Sequence, residues 1–217
     1  GEPVHEAAGL REMAWCTGFL GDYSGALEFG RRALALVRTT GNREEELWCL
    51  NILGTLRATH GDNTEATGHF DEALAIAETI TDPRGKATVR NNAALNYLGL
   101  GEPEKATALL TGLSANARQR GLTRYVYRFM PNLGSARYDM GDLPGAIQTT
   151  EEALVWAREH VQLEVMAQCL ENLGHFYLQR GLLDRALRAL DEGLTTRREC
   201  GDRVGQLPIF DFIGMTH

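Results

Sequence analysis

The sequence carries no excess of positive charge. Its 22 Lys and Arg residues are outnumbered by 29 Asp and Glu residues, which gives a formal net charge of -7. A nucleic-acid backbone is an array of negative charges, so a chain with this charge balance is repelled by it. The composition therefore argues against direct nucleic-acid binding.

Long apolar runs and targeting patterns are also missing. No stretch of about 18 consecutive apolar residues occurs, so we expect no membrane-spanning segment. The first ten residues, GEPVHEAAGL, lack the basic and then apolar order of a signal peptide. We therefore expect a cytoplasmic protein without a membrane partner.

Cysteines are few, and no pattern typical of enzymes appears. The four Cys residues show no CxxC spacing and no nearby pair of His residues, so we interpret them as core thiols without metal or redox function. The six His residues are scattered, and none lies beside a plausible nucleophile. We predict no catalytic residue, no metal and no cofactor, and we expect that the protein is not an enzyme.

Aromatic residues make up only 7% of the chain, and alternating Val, Ile and Thr are absent, whereas Ala, Leu, Glu and Arg are abundant. These abundant residues lose little rotamer freedom in a helix, so the composition favours an all-α fold.

A forty-residue repeat dominates what is present. A Gly recurs at this interval, and an Ala stands five residues after each copy, which indicates close contact between two helices. The glycines are Gly21, Gly61, Gly101, Gly141 and Gly181, and the alanines are Ala26, Ala66, Ala106, Ala146 and Ala186. An apolar helical pattern precedes each Gly and a second amphipathic helix follows it, so each repeat is predicted to be a helical hairpin.

These motifs resemble the tetratricopeptide repeat, whose signature is W-x2-L-G-x2-Y followed by A-x3-F. Leu173-Gly174-x-x-Tyr177 matches its first half, and Ala66-x3-Phe70 matches its second half. The period is forty residues rather than 34, the closing Pro is missing, and three repeats lack the Tyr. Forty-residue versions occur in peptide-sensing bacterial regulators, in GoLoco-binding adaptors and in the tails of bacterial transcriptional activators.

The resemblance implies a right-handed α-solenoid of about five and a half hairpins, or about 11 helices, in a single domain. Its expected units are residues 5–40, 43–80, 83–120, 122–160 and 162–200, with a partial sixth unit at 203–217. In such a stack the first helix of each hairpin lines a concave groove.

Asn92, Asn132 and Asn172 occupy the repeat position that faces the groove in tetratricopeptide proteins and commonly holds a peptide-binding Asn. An Asn amide offers an acceptor and two donors, so it can bind the backbone of an extended peptide. The alternative is that these amides bond to the neighbouring helix. Asn is a poor residue for the middle of a helix, so its threefold recurrence favours binding over packing.

Other groove positions, taken from the same numbering, would select the ligand. They are Arg11, Trp15, Trp48, Asn51, Asn91, Arg128, Tyr138, Glu171 and His175. Aromatic residues and Arg often anchor partners, and the opposite charges point to a ligand of mixed polarity.

The leading hypothesis is a module that binds a protein or peptide, within a larger bacterial signalling or transcription-regulatory protein. The C-terminal segment LPIFDFIGMTH is apolar, and Ile213-Gly214 falls on the Leu-Gly position of a sixth unit. Either more repeats follow it, or it packs against a second copy, or it caps the stack. The alternative function is therefore a structural module that dimerises through residues 203–217 without a peptide ligand.

Overall fold

The computed structural model describes residues 2–119 and 123–201, and it places side chains for residues 2–112 and 127–201. These residues form ten α-helices and no strand, which confirms the expected all-α architecture of stacked helical hairpins. The helices are α1 Glu2–Phe19, α2 Tyr23–Thr40, α3 Arg43–Thr59, α4 Asn63–Thr79, α5 Pro83–Gly99, α6 Pro103–Gln119, α7 Thr123–Asp139, α8 Leu143–Glu159, α9 Leu163–Gln179 and α10 Leu183–Glu199. The expected sixth unit, residues 203–217, lies outside the described residues.

The repeated Gly ends the first helix of each hairpin, as the sequence predicts. All five copies have positive φ, from 73° at Gly101 to 90° at Gly21. The next residue donates its backbone N–H to a carbonyl five residues earlier, for example Asp22 to Thr17 at 3.1 Å. This is the pattern of a Schellman motif, which satisfies the last carbonyls of the helix.

The repeated Ala and the Leu-Gly motif mark the contact between the two helices of a hairpin. The Ala is completely buried in every repeat. A Cβ added to Gly54 would lie 2.8 Å from the ring of Phe70 on the partner helix. The motif therefore needs Gly because the facing side chain takes the space of a Cβ.

The chain divides into two compact units, residues 1–109 and residues 110–217. In the first unit, α1 contacts α2 and α3, and α3 contacts α4 and α5. In the second, α7 contacts α8 and α9, and α9 contacts α10. Within the units, α1, α3 and α7 thus each pack on their own partner and on the next first helix, as expected for stacked hairpins. The boundaries of the repeats and the single-domain organisation stay predictions.

The interpretation of the cysteines is correct for two of them. Cys49 and Cys169 are buried, and burial raises the pKa of each thiol to about 12. Cys16 is exposed on α1 and Cys200 is partly exposed at the end of α10, so the core interpretation is wrong for Cys16. None of the four thiols forms a disulfide with a described residue.

Candidate functional site

One repeat position on the first helices stays out of the core throughout the described chain. Trp15 and Leu95 are 52% and 44% exposed at this position, although both side chains are large and apolar. The same position holds half-buried polar residues on the other first helices, namely Thr55, Ser135 and His175. Within each unit, we call the surface formed by these residues and the exposed side chains beside them the first-helix face. It holds Trp15, Thr55 and Leu95 in the first unit, and Ser135 and His175 in the second.

In the first unit, the Asn92 amide is bonded to the preceding first helix. Its Nδ2 donates to Asn51 Oδ1 at 3.0 Å and lies 3.5 Å from Thr55 Oγ1. Its Oδ1 accepts from Asn91 Nδ2 at 3.2 Å. Asn51 and Asn91 are buried, so they offer little surface to a peptide. These three amides join α5 to α3.

In the second unit, the Asn172 amide makes the equivalent contacts. Its Nδ2 donates to the Pro131 carbonyl at 3.0 Å and to Ser135 Oγ at 3.1 Å. Asn132 is buried, and its Oδ1 accepts from Gln168 Nε2 at 2.7 Å. The packing alternative therefore holds for the donors of Asn92 and Asn172. Asn172 is partly exposed, and its Oδ1 makes no hydrogen bond with any described residue.

Two of the three charged candidates are held in ion pairs. Arg11 binds Glu45 and Glu12, each at 2.7 Å. Glu171 receives two hydrogen bonds from Arg197, at 2.7 and 3.0 Å. Arg128 is exposed and has no ion pair with any described residue. Among the three, Arg128 is the charge most available to a ligand.

The aromatic candidates lie beside polar groups. The Arg84 guanidinium lies 5.0 Å above the half-buried Trp48 ring, a cation–π contact that sequence reasoning did not predict. Tyr138 meets His175 edge-on at 4.9 Å and stacks on Phe176 at 5.2 Å. These contacts fix the orientation of Trp48 and Tyr138.

His175 and Asp139 influence each other at the edge of this cluster. Burial lowers the pKa of His175, while the nearby Asp139 carboxylate acts in the opposite direction. Burial also raises the pKa of Asp139, and His175 counteracts that shift. The shift in each residue favours its neutral form, because desolvation disfavours the charged form.

Sequence reasoning missed Leu95 on this face. The signal was present, because Leu95 stands eighty residues after Trp15 in the forty-residue register. Gln168 was also missed, and it is detectable only from its contact with Asn132.

The described residues show neither a metal site nor a membrane-spanning helix. No group of three or more His, Cys, Asp or Glu side chains within them is placed to hold a metal ion. Among these helices, none combines the length and the apolar character that a membrane crossing requires.

Comparison with known structures finds the same fold in several proteins. Aspartyl phosphate phosphatase F from Bacillus subtilis is similar with a TM-score of 0.83 and 14% identity, over 99% of this chain and 56% of that chain. The Rap conjugation gene regulator of plasmid pLS20, in complex with the Phr* peptide, is similar with a TM-score of 0.74 and 15% identity. The match covers 94% of this chain and 59% of that chain. A signal transduction ATPase with numerous domains from Pyrococcus horikoshii, which has a tetratricopeptide repeat sensor, is similar with a TM-score of 0.73 and 14% identity. The match covers 94% of this chain and 30% of that chain.

At these identities the likeness concerns the fold alone. No curated protein sequence matches the chain. Two family models described as tetratricopeptide repeat match residues 5–79 and residues 166–200, which together span about half of the chain. The chain therefore belongs to the tetratricopeptide repeat family.

Proposed function

We propose that this protein binds an extended peptide segment along the first-helix face. One observation carries the proposal: Trp15 and Leu95 remain about half exposed at a position that recurs on each first helix. Exposed large apolar side chains in register provide the apolar contact area that a peptide needs, and they cost the free protein stability.

The polar residues of the face suit the backbone of such a peptide. The Thr55 hydroxyl lies on the face of the first unit, and the Ser135 hydroxyl and the Asn172 Oδ1 lie on the face of the second unit. Adjacent helices pack about 8 to 10 Å apart and an extended chain advances about 3.3 Å per residue. Successive first helices would therefore meet about every third peptide residue.

The ligand preference follows from the charges of these residues. Arg11 and Glu171 are neutralised by internal ion pairs, whereas Arg128 is exposed and forms no ion pair with any described residue. We therefore expect a peptide of mixed polarity whose apolar side chains supply most of the affinity.

A regulatory role is supported by two structural neighbours. One is a gene regulator in complex with a peptide, and the other carries a tetratricopeptide repeat sensor in a signal transduction ATPase. We infer that the chain serves as the sensor or interaction part of a larger bacterial signalling or transcription-regulatory protein, acting in the cytoplasm.

Selection of a binder from a random peptide library, followed by fluorescence anisotropy, tests the proposal. We expect Trp15→Ala and Leu95→Glu each to weaken the selected peptide about tenfold or more, because both remove a central apolar contact. Val155→Glu is the matched control, since Val155 is 56% exposed on the second helix α8. Equal losses in all three variants, or no binder from the library, would contradict the proposal.

Self-association is a second candidate function. Residues 203–217, the dimerisation segment predicted from the sequence, lie outside the described residues. Within the described part, α1 exposes Phe19 and Leu20 by 85% and 83%, and Met13 by 48%. This apolar surface favours contact with a second copy.

A further inference from the structure

The turn between α8 and α9 places a residue other than glycine in the left-handed region. Val161 has φ of 52°, whereas Gly41 and Gly201, at the equivalent positions forty-residue steps away, have φ of 71° and 70°. A β-branched residue is strained in this left-handed region. Val161 is also 73% exposed, so burial does not compensate for the strain.

The start of α9 lacks the stabilising contacts of its counterpart α3. Asn42 caps α3 by accepting from the Glu45 N–H at 3.0 Å, but Gln162 makes no such side-chain bond at the start of α9. Loss of a cap destabilises a helix end, so this turn is unfavourable in a second respect.

The first turns of these two helices also differ in charge. Glu46 is buried on α3 between Arg38 at 3.1 Å and Arg43 at 2.6 Å. Met166 and Leu163 occupy the positions of Glu46 and Arg43 in α9. The ion pairs that close the α2–α3 turn are therefore replaced by apolar side chains at the α8–α9 turn.

A cleft of about 400 Å³ lies at this turn. Its apolar wall comes from Trp156, Val161, Leu163 and Val165, and its polar lining includes Arg128 and Glu164. Both charged residues are exposed, and neither forms an ion pair with any described residue.

The aromatic wall of the cleft is held in a fixed orientation. The Trp156 ring stacks on Tyr127 at 5.0 Å and on His160 at 4.4 Å. A ligand therefore meets a preformed surface and does not have to order this side chain.

We propose that this cleft binds one bulky apolar side chain of a peptide, and that an acidic residue beside it binds Arg128. The proposal rests on the proposed peptide-binding function. Strain, a missing cap and the exposed apolar side chain of Val161 coincide here, and such local conflicts concentrate at functional sites.

The charge preference follows from the surroundings of the two ions. Glu164 lies in the first turn of α9, where the helix dipole stabilises a carboxylate. Arg128 has no comparable compensation, and a guanidinium binds a carboxylate through two parallel hydrogen bonds. An acidic residue is therefore favoured over a basic one.

Two-dimensional NMR with blocked dipeptides tests the cleft. We expect N-acetyl-Phe-Asp-amide to shift the methyl signals of Val161, Leu163 and Val165 saturably, and N-acetyl-Ala-Asp-amide and N-acetyl-Phe-Lys-amide to bind about tenfold more weakly. Absence of these shifts, or equal affinity for all three probes, would overturn the proposal.

Two variants with the same change of charge, one inside the cleft and one outside it, provide the control. Arg128→Glu should weaken N-acetyl-Phe-Asp-amide about tenfold. Arg188→Glu should leave it unchanged, because Arg188 is exposed on α10 outside the cleft lining. Leu163→Arg, which copies Arg43 of α3, should remove binding by placing a charge in the apolar wall. Equal effects of Arg128→Glu and Arg188→Glu would count against the site.

The library-selected peptide separates this inference from the proposed function. If Leu95→Glu abolishes its binding while Arg128→Glu and Leu163→Arg do not, the cleft proposal fails and the first-helix face stands. If the dipeptide binds the cleft but the library yields no binder, the cleft stands as an independent site and the proposed function fails.

Discussion

An asparagine amide can bind a ligand or join two helices, and its hydrogen-bond partners show which role it has. The donors of Asn172 are used by Pro131 and Ser135 on α7, while its acceptor stays available. Pro131 is fully buried, and its carbonyl also accepts from Ser135 Oγ at 3.3 Å, so the Asn172 amide adds a donor from the next first helix. The sequence showed that an amide recurs at this position, but it could not show which direction the amide points.

Replacement of Asn172 by Ala tests the structural part of this role. We expect the free energy of unfolding to fall by about 1 to 3 kcal/mol, because two hydrogen bonds from α9 to α7 are lost and each contributes about 0.5 to 1.5 kcal/mol. Urea denaturation followed by circular dichroism measures the change.

Gln179→Ala is the control, since Gln179 is an exposed amide at the end of the same helix. Its effect should stay within about 0.5 kcal/mol. Equal stability of the Asn172 variant and the wild type would assign this amide to ligand binding alone.

At the scale of the element, the α2–α3 turn and the α8–α9 turn have the same backbone conformation but different residues in the left-handed position. Gly41 adopts its left-handed conformation without strain, and a Cβ added there would meet no atom within 4 Å. Val161 adopts the same conformation with a branched side chain. The two positions therefore allow the backbone strain to be measured by exchange.

We expect Val161→Gly to raise the free energy of unfolding and Gly41→Val to lower it, each by about 1 to 2 kcal/mol. The signs are opposite because the first change removes a strained residue and the second introduces one. A Cβ added at Gly41 would meet no atom within 4 Å, so the backbone conformation and not a steric clash causes the loss of stability there. Thermal and urea unfolding of both variants measure the changes. A destabilising Val161→Gly would mean that Val161 contributes packing that outweighs its strain.

The helices and the turns within hairpins were predictable because their chemistry is local. Gly21 and its equivalents need positive φ, and the buried Ala five residues later needs a small neighbour, so both leave a signal in the sequence. The partners of Arg11 and Glu171 lie 34 and 26 residues away, at Glu45 and Arg197. Such pairings depend on how helices stack, and the sequence predicted neither of them.

The candidate face was predictable only in part. The forty-residue register correctly placed Trp15 and His175 outside the core, but Asn51, Asn91 and Asn132 are buried at neighbouring positions. One residue of rotation around a helix changes the exposed face by about 100°, so register alone does not separate adjacent positions. The cleft at Val161 was not predicted, because it depends on residues from three helices and their connecting turn.

For the molecule as a whole, the repeat implies that each hairpin is stabilised by its neighbours. The first helix, α1, is an exception, because side chains on its outer face are exposed. Met13 is 48% exposed and Cys16 is exposed, whereas the equivalent residues of later first helices are buried. Those residues include Leu53, Leu56, Leu173 and Phe176, with exposures of 1%, 6%, 2% and 2%. The surface of α1 thus continues the type of interface that stacks one hairpin on another.

We expect this surface to bind a second copy of the chain. Phe19 and Leu20 lie beside it and are more than four-fifths exposed, so association removes substantial apolar area from water. Light scattering coupled to size exclusion should show a mass that rises with concentration, under reducing conditions that exclude a disulfide through Cys16. Combined Phe19→Ser and Leu20→Ser should restore the monomer.

Two further variants identify the interface. Combined Val155→Ser and Leu183→Ser removes exposed apolar residues elsewhere and should leave association unchanged. Removal of residues 203–217 tests the dimerisation segment predicted from the sequence. If that removal alone gives a monomer, association belongs to the C-terminal segment, and the α1 surface is not the interface. A wild-type monomer at every concentration would exclude both routes, and Trp15 would then remain accessible on the first-helix face for a peptide.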